Sequence, residues 1–123
     1  MGLLLSISFV QPSLADRLWA TPAQVEGPYY PKVKTKEKDW NLLNTVHDNN
    51  TLAAGIPLQL EGKILDHNGL PIVGATVEIW QSDNNGIYNH PKAPQTEQFD
   101  QNFQGFGSIK TNSEGYYRFL TII

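Results

Sequence analysis

The chain has 123 residues, 40% of them hydrophobic and 17% charged, a balance that fits one globular domain and excludes intrinsic disorder. Its net charge of −3, with basic residues spread along the chain, argues against nucleic acid as a partner. The absence of cysteine removes disulfides, thiolate metal sites and cysteine nucleophiles, and no apolar run approaches the roughly 18 residues that span a bilayer.

The N-terminus carries two readings. Leu3 to Val10 is rich in apolar residues, and Ser13 and Ala15 stand at the −3 and −1 positions of a signal-type cleavage site before Asp16. No Lys or Arg precedes the run. Residues 1–20 are therefore either an export signal or, in a cytoplasmic protein, an N-terminal arm packed on the body. From Asp16 to Trp40 little regular structure is expected. Gly27-Pro28-Tyr29-Tyr30-Pro31 excludes helix, because two prolines and a glycine force an extended or turning path. Tyr29 and Tyr30 either anchor the arm by packing or line a pocket. Asp39-Trp40 and Leu42-Leu43 predict a docked loop or one helical turn. Thr45 to Gly55 reads as polar loop, with His47 solvated.

Strand signals begin at Pro57. Leu58, Leu60, Gly62 and Ile64 alternate with Gln59, Glu61, Lys63 and Leu65, a period of two with one face in and one out. Asp66-His67-Asn68-Gly69 is a hairpin-type turn. The next strand runs from Pro71 to Gln81, with Ala75, Val77 and Ile79 on one face and Thr76, Glu78 and Trp80 on the other. The small pair Gly74-Ala75 marks a place of close approach. Ser82 to Gly86 is a turn; it lacks the alternating acids and distal Glu of a calcium loop. A polar loop covers Lys92 to Gln98. Phe106 to Thr111 is a strand, Asn112 to Gly115 a turn, and Tyr116 to Ile123 the last strand. Short strands with Gly and Asn turns, and no apolar repeat of helical period, predict a β-sandwich. The last strand is apolar and β-branched where a domain usually trails off in polar residues. The expectation is a domain truncated at its C-terminus, with an exposed, self-associating edge there.

The chemistry available is narrow. There is no Gly-x-Ser-x-Gly, no phosphate-binding glycine loop and no carboxylate pair at glycosidase spacing. Tyr88 and His90, two apart on an extended segment, face the same side. Tyrosinate is a hard oxygen donor that suits ferric iron, which must displace a proton with a free pKa of about 10. One Tyr and one His do not make a site. Read alone, Tyr88 packs its ring and His90 is solvated.

Read with its neighbours, the stretch has more to say. Thr21-Pro22-x-Gln24-x-Glu26-Gly27-Pro28-Tyr29-Tyr30, the Gly62 to Gln81 strand pair ending Val77-Glu78-Ile79-Trp80-Gln81, Gly86-Ile87-Tyr88, Asp100 to Gly107 and Gly115 to Ile122 follow one another. Together they resemble the intradiol ring-cleavage dioxygenases, most closely the protocatechuate 3,4-dioxygenase side. The resemblance covers residues 21–122. It implies a mainly-β, prealbumin-like β-sandwich with an extended N-terminal arm, residues 21–123 forming part of that domain. It also implies one non-haem Fe(III) held by two tyrosines and two histidines, which makes a bound catechol electron-rich toward O2 so that the bond between its hydroxyl-bearing carbons opens to a muconate. On this resemblance Tyr88 is a metal ligand, and Tyr29, Tyr30 and Trp80 bind the substrate, a small aromatic diol. His90 matches no ligand of the family. The family's second tyrosine, its histidine pair and a substrate-orienting arginine follow the motif that ends at Ile122, so the iron site is incomplete in these 123 residues and the chain by itself is expected to be inactive. Gln101, Ser108 and Leu120 replace a proline and two arginines of the family pattern. Subunits of this family usually pair, which makes a homo-oligomer the expected assembly. The alternative is a sandwich used for binding or structure without chemistry, or a degenerate fragment.

Overall fold

The computed structural model describes residues 18–32, 39–43 and 51–123. The export-signal reading of 3–15 and the loop histidine His47 lie outside the described residues. Four strands form: β1 (Pro57–Lys63), β2 (Thr76–Trp80), β3 (Phe106–Lys110) and β4 (Tyr116–Ile122). No helix occurs among the described residues, so the mainly-β class read from the alternating apolar positions stands. The arm, residues 18–32, has only a turn at 28–30, as its Gly-Pro-Tyr-Tyr-Pro sequence requires.

The pairing is less local than the order of strands suggests. β1 pairs antiparallel with β4, from Pro57 opposite Ile122 to Lys63 opposite Tyr116. β2 pairs antiparallel with β3, from Thr76 opposite Lys110 to Trp80 opposite Phe106. The result is two two-stranded sheets. The turn at Asp66–Gly69 forms, with the Leu70 carbonyl accepting from Asp66 N–H at 2.8 Å and the Asp66 carbonyl from Gly69 N–H at 2.9 Å. The hairpin it starts is short: a Leu65–Pro71 bridge and one bond from Ile72 N–H to the Ile64 carbonyl. The long strand expected from Pro71 starts only at Thr76. Gly74, with φ +77°, swings the chain from β1 across to β3, a conformation that side chains disfavour. Nothing lies within 4 Å of where its Cβ would be, so Gly74 serves the backbone and not the close approach read from the sequence.

The core lies between the sheets. Leu42, Leu43, Phe103, Phe119 and Ile122 are buried together, with Val77, Ile79 and Ile109 packed on them. Val77 and Ile79 are the inward set that period two assigns to β2. Close approach occurs at Gly107 instead. A Cβ there would sit 2.6 Å from Leu42 Cδ1 and 3.1 Å from Phe119 Cδ1, so only glycine lets 39–43 lie this near β3.

Residues 40–42 form neither a helical turn nor a plain loop. Asn41 bridges in parallel to Leu120, Leu42 N–H donates to the Leu120 carbonyl at 2.8 Å, and Leu120 N–H donates to the Trp40 carbonyl at 3.0 Å. This extra segment flanks β4 on the side away from β1. The exposed apolar edge expected at the last strand is therefore not there. It lies at β1, where Leu58 is 37% and Leu60 38% exposed, although both share a face with the buried Thr121 and Phe119 opposite them. The second sheet reaches the first chiefly by β3 packing on β4, and that leaves the inner face of β1 thinly covered.

Candidate functional site

β2 delivers the site. Its outward residues Glu78 and Trp80 face away from the core, and Gln81 N–H extends the pairing by one bond to the Gly105 carbonyl at 3.0 Å. The chain then turns through 83–87. Gly86 N–H donates to the Asp83 carbonyl at 2.9 Å, and Asp83 N–H donates to the Ile87 carbonyl at 2.8 Å. Ile87 is buried at 3% exposure, which anchors the residue just before Tyr88.

The arm crosses this surface and its two tyrosines divide the work. Tyr29 stacks on Tyr88 with ring centroids 4.7 Å apart at 38°, and lies 5.6 Å from the His90 ring. Tyr30 meets Trp80 edge-on at 4.9 Å and Phe106 at 6.1 Å, and its O–H donates to Glu78 Oε1 at 2.9 Å. Such aromatic pairs contribute about 0.5–1.5 kcal/mol each beyond the area they bury. Both readings of the pair thus apply: Tyr30 anchors the arm, and Tyr29 does line a pocket. Tyr29, Trp80, Gln81, Tyr88, Gln104 and Phe106 wall a shallow depression with a cavity volume of about 10 Å³, room for about one water. Of the four residues singled out in the sequence, Tyr29, Trp80 and Tyr88 meet there, while Tyr30 stands behind Trp80 and is not in the lining.

His90 differs from its reading as a solvated residue: it is 4% exposed. The 88–90 segment is not extended either, since His90 N–H donates to the Tyr88 carbonyl at 2.9 Å. This tight turn folds the imidazole back to Tyr29. Its Nδ1 accepts from Lys92 N–H at 3.0 Å, so that nitrogen is engaged in holding the loop. Gln95 Nε2 donates to the carbonyl of Ala93 at 3.0 Å and, more weakly, to that of Tyr88 at 3.3 Å. The polar loop after His90 is stapled from within.

Two residues of this region escaped the sequence reading. Gln104 is buried, and its Nε2 donates to the Asp39 carbonyl at 3.0 Å and the Phe106 carbonyl at 2.8 Å. Two carbonyl partners fix which end of the amide is nitrogen. Its Oε1 is buried with no protein partner. No local pattern marks such a glutamine. Asp83 is also buried; its signal was available in the Asp-Asn-Asn-Gly sequence, where an aspartate heading a turn bonds the backbone ahead of it.

The residues present fit a ferric site only in part. Tyr88 offers one hard oxygen donor at the depression, and among the described residues no group of three or more His, Cys, Asp or Glu could hold a metal ion.

Comparison with known proteins identifies the family. A family model described as "Dioxygenase" matches residues 25–123. The protocatechuate 3,4-dioxygenase beta chain of Burkholderia cepacia is 39% identical over 82 residues, which cover 62% of this chain and 35% of that protein. The catechol 1,2-dioxygenase of Acinetobacter baylyi is 36% identical over 104 residues, covering 85% of this chain and 31% of that one. Among solved structures, catechol 1,2-dioxygenase from Acinetobacter sp. ADP1, inhibited by bound mercury, superposes with a TM-score of 0.60 at 37% identity, over 85% of this chain and 31% of that chain. The family model covers residues 25–123, which include all four strands, the aromatic-walled depression and Tyr88. The chain belongs to the intradiol dioxygenase family. It spans about a third of the length of the curated relatives it matches, 35% and 31% in the two cases given.

Proposed function

We propose that this chain is part of an Fe(III)-dependent intradiol dioxygenase. The enzyme would use O2 to open the ring of a small aromatic diol between its hydroxyl-bearing carbons. Tyr88 is a ligand to the iron in this reading. Tyr29 and Trp80 are the walls against which the diol ring packs, and Tyr30 holds Trp80 and the arm in place through Glu78. The observation that carries the proposal is the meeting of Tyr29, Trp80 and Tyr88 around one depression, since the arm and the β2 loop are far apart in sequence. Tyr88 is the ligand this reading assigns among the described residues, and the groups that would complete the site and choose among catechols lie outside that assignment.

The test is Tyr88→Phe in the full-length protein, followed by O2 uptake with catechol and with protocatechuate. Loss of a neighbour to a metal ligand already costs about 10–100-fold, and loss of the ligand itself costs more, so turnover should fall by more than about 100-fold. The visible charge-transfer band should weaken with it. Turnover that survives the substitution would remove Tyr88 from the site and leave a β-sandwich whose role is binding.

A further inference from the structure

Asp83 has no role in the ligand and substrate set above, yet it is the most heavily engaged carboxylate near Tyr88. It is 4% exposed, and the partners of its oxygens are backbone amides. Oδ1 accepts from Asn85 N–H and from Ile87 N–H, both at 2.9 Å. Oδ2 accepts from Asp100 N–H at 3.0 Å. Hydrogen bonds to a charged acceptor are about twice as strong as neutral ones, so this is the firmest junction of the loop.

The two oxygens act on two different segments that line the depression. Oδ1 closes the turn that ends at buried Ile87 and so sets where Tyr88 begins. Oδ2 reaches across to the start of the 100–105 segment, which brings Gln104 and Gly105 to the same lining. Asp100 continues the chain of carboxylate clamps, with Oδ1 accepting from Asn102 N–H and Oδ2 from Ala54 N–H, each at 2.9 Å. Nothing else among the described residues ties the 83–88 turn to residue 100 through a charged group.

We propose that Asp83 is a positioning residue. By holding the 83–87 turn with one oxygen and bridging to Asp100 with the other, it fixes Tyr88 against Tyr29 and sets the spacing of the two segments. The proposal rests on the reading of Tyr88 as a site residue, but its test needs neither iron nor turnover.

The experiment compares Asp83→Ala and Asp83→Asn in the isotope-labelled protein. The readouts are amide hydrogen exchange at Ile87 and Asp100 and ring-to-ring cross-peaks between Tyr29 and Tyr88. The Tyr117–Phe119 ring pair in the core, 6.0 Å apart, is the control. Asn keeps an oxygen for Asn85 and Ile87 but turns an NH2 toward Asp100 N–H, so it should spare the turn and break the bridge. The expected result for Asp83→Asn is exchange at Asp100 faster by at least about 10-fold, as loss of one bond to a carboxylate implies, with Ile87 still protected and the Tyr29–Tyr88 cross-peaks retained. Asp83→Ala should free both amides and erase those cross-peaks while the core pair persists. Tyr29–Tyr88 cross-peaks that persist in Asp83→Ala would overturn the proposal, and so would their loss together with the core pair. If the alanine variant does not fold, Asp83→Asn decides: equal exchange changes at Ile87 and Asp100, or none at either, overturn it. Failure of the Tyr88→Phe experiment would refute the ligand reading and leave this measurement intact.

Discussion

Thr111 shows how much of this fold hangs on one hydroxyl. Its Oγ1 donates to the Ile72 carbonyl at 2.6 Å and accepts from Ala75 N–H at 2.9 Å. Its backbone bonds Gly74 and Ala75 as well, with Gly74 N–H donating to the Thr111 carbonyl and Thr111 N–H to that of Ala75. The residue is buried at 4% exposure and sits where the chain leaves β1 for the other sheet. Thr111→Val keeps the shape and removes both side-chain bonds, which strands a part-buried N–H and a carbonyl. The expected loss is about 1–3 kcal/mol in a urea melt, with protection at Ala75 falling first by hydrogen exchange. The same scale shows what a sequence can and cannot disclose. Thr111 reads as the end of a strand and nothing more. Tyr88 reads as a packed ring until the motifs on either side are taken with it, and its contact with Tyr29 joins an arm to a loop that no local pattern connects.

At the scale of elements, the alternation of apolar residues and the Asn-Gly turns made the strands legible, and Val77 and Ile79 face the core as their period requires. Partner choice was not legible. The Asn68-Gly69 turn announces a hairpin, but Gly74 breaks it after two rungs, and β1 finds its partner in β4 at the far end of the sequence. Loop closure over that distance carries no local signature. The β1–β4 pair also carries a titrating contact. Tyr116 O–H donates to Glu61 Oε2 at 3.2 Å across the register. Partial desolvation first, then the bond to Glu61 and its negative charge, raise the Tyr116 phenol above the ordinary value, while Arg118 pulls it down. A raised phenol pKa means the folded state holds the proton more tightly than the unfolded one. The stabilisation is therefore complete below the ordinary phenol value of about 10 and is lost as pH rises through the raised folded value. Alkaline melts should show stability declining in that window. Tyr116→Phe should flatten part of this limb, and an unchanged limb in the variant would assign the decline to other groups.

The whole molecule is lopsided, and its energetics should be too. The second sheet and the 40–42 segment close around β4, so Phe119 is fully buried while Leu60, directly opposite it in the ladder, keeps 38% of its surface exposed. Both residues lie on the inward face by period two, and the sequence gives them equal rank. What separates them is that β3 packs on β4, a fact of tertiary placement and not of pattern. Removing a buried phenyl costs about 3–5 kcal/mol, the lost transfer energy plus the cavity left behind. Leu60 has less surface to lose and leaves a dent open to water, so truncating it should cost less than the roughly 2–5 kcal/mol of a buried Leu→Ala change. Against a total stability of about 5–15 kcal/mol for a domain, Phe119→Ala should abolish or nearly abolish cooperative unfolding, while Leu60→Ala should retain a sigmoidal melt at a modestly lower midpoint. Equal costs for the two would mean that in solution something covers the inner face of β1 as fully as β3 covers β4. The pair of melts thus measures how much of the sandwich these residues build for themselves.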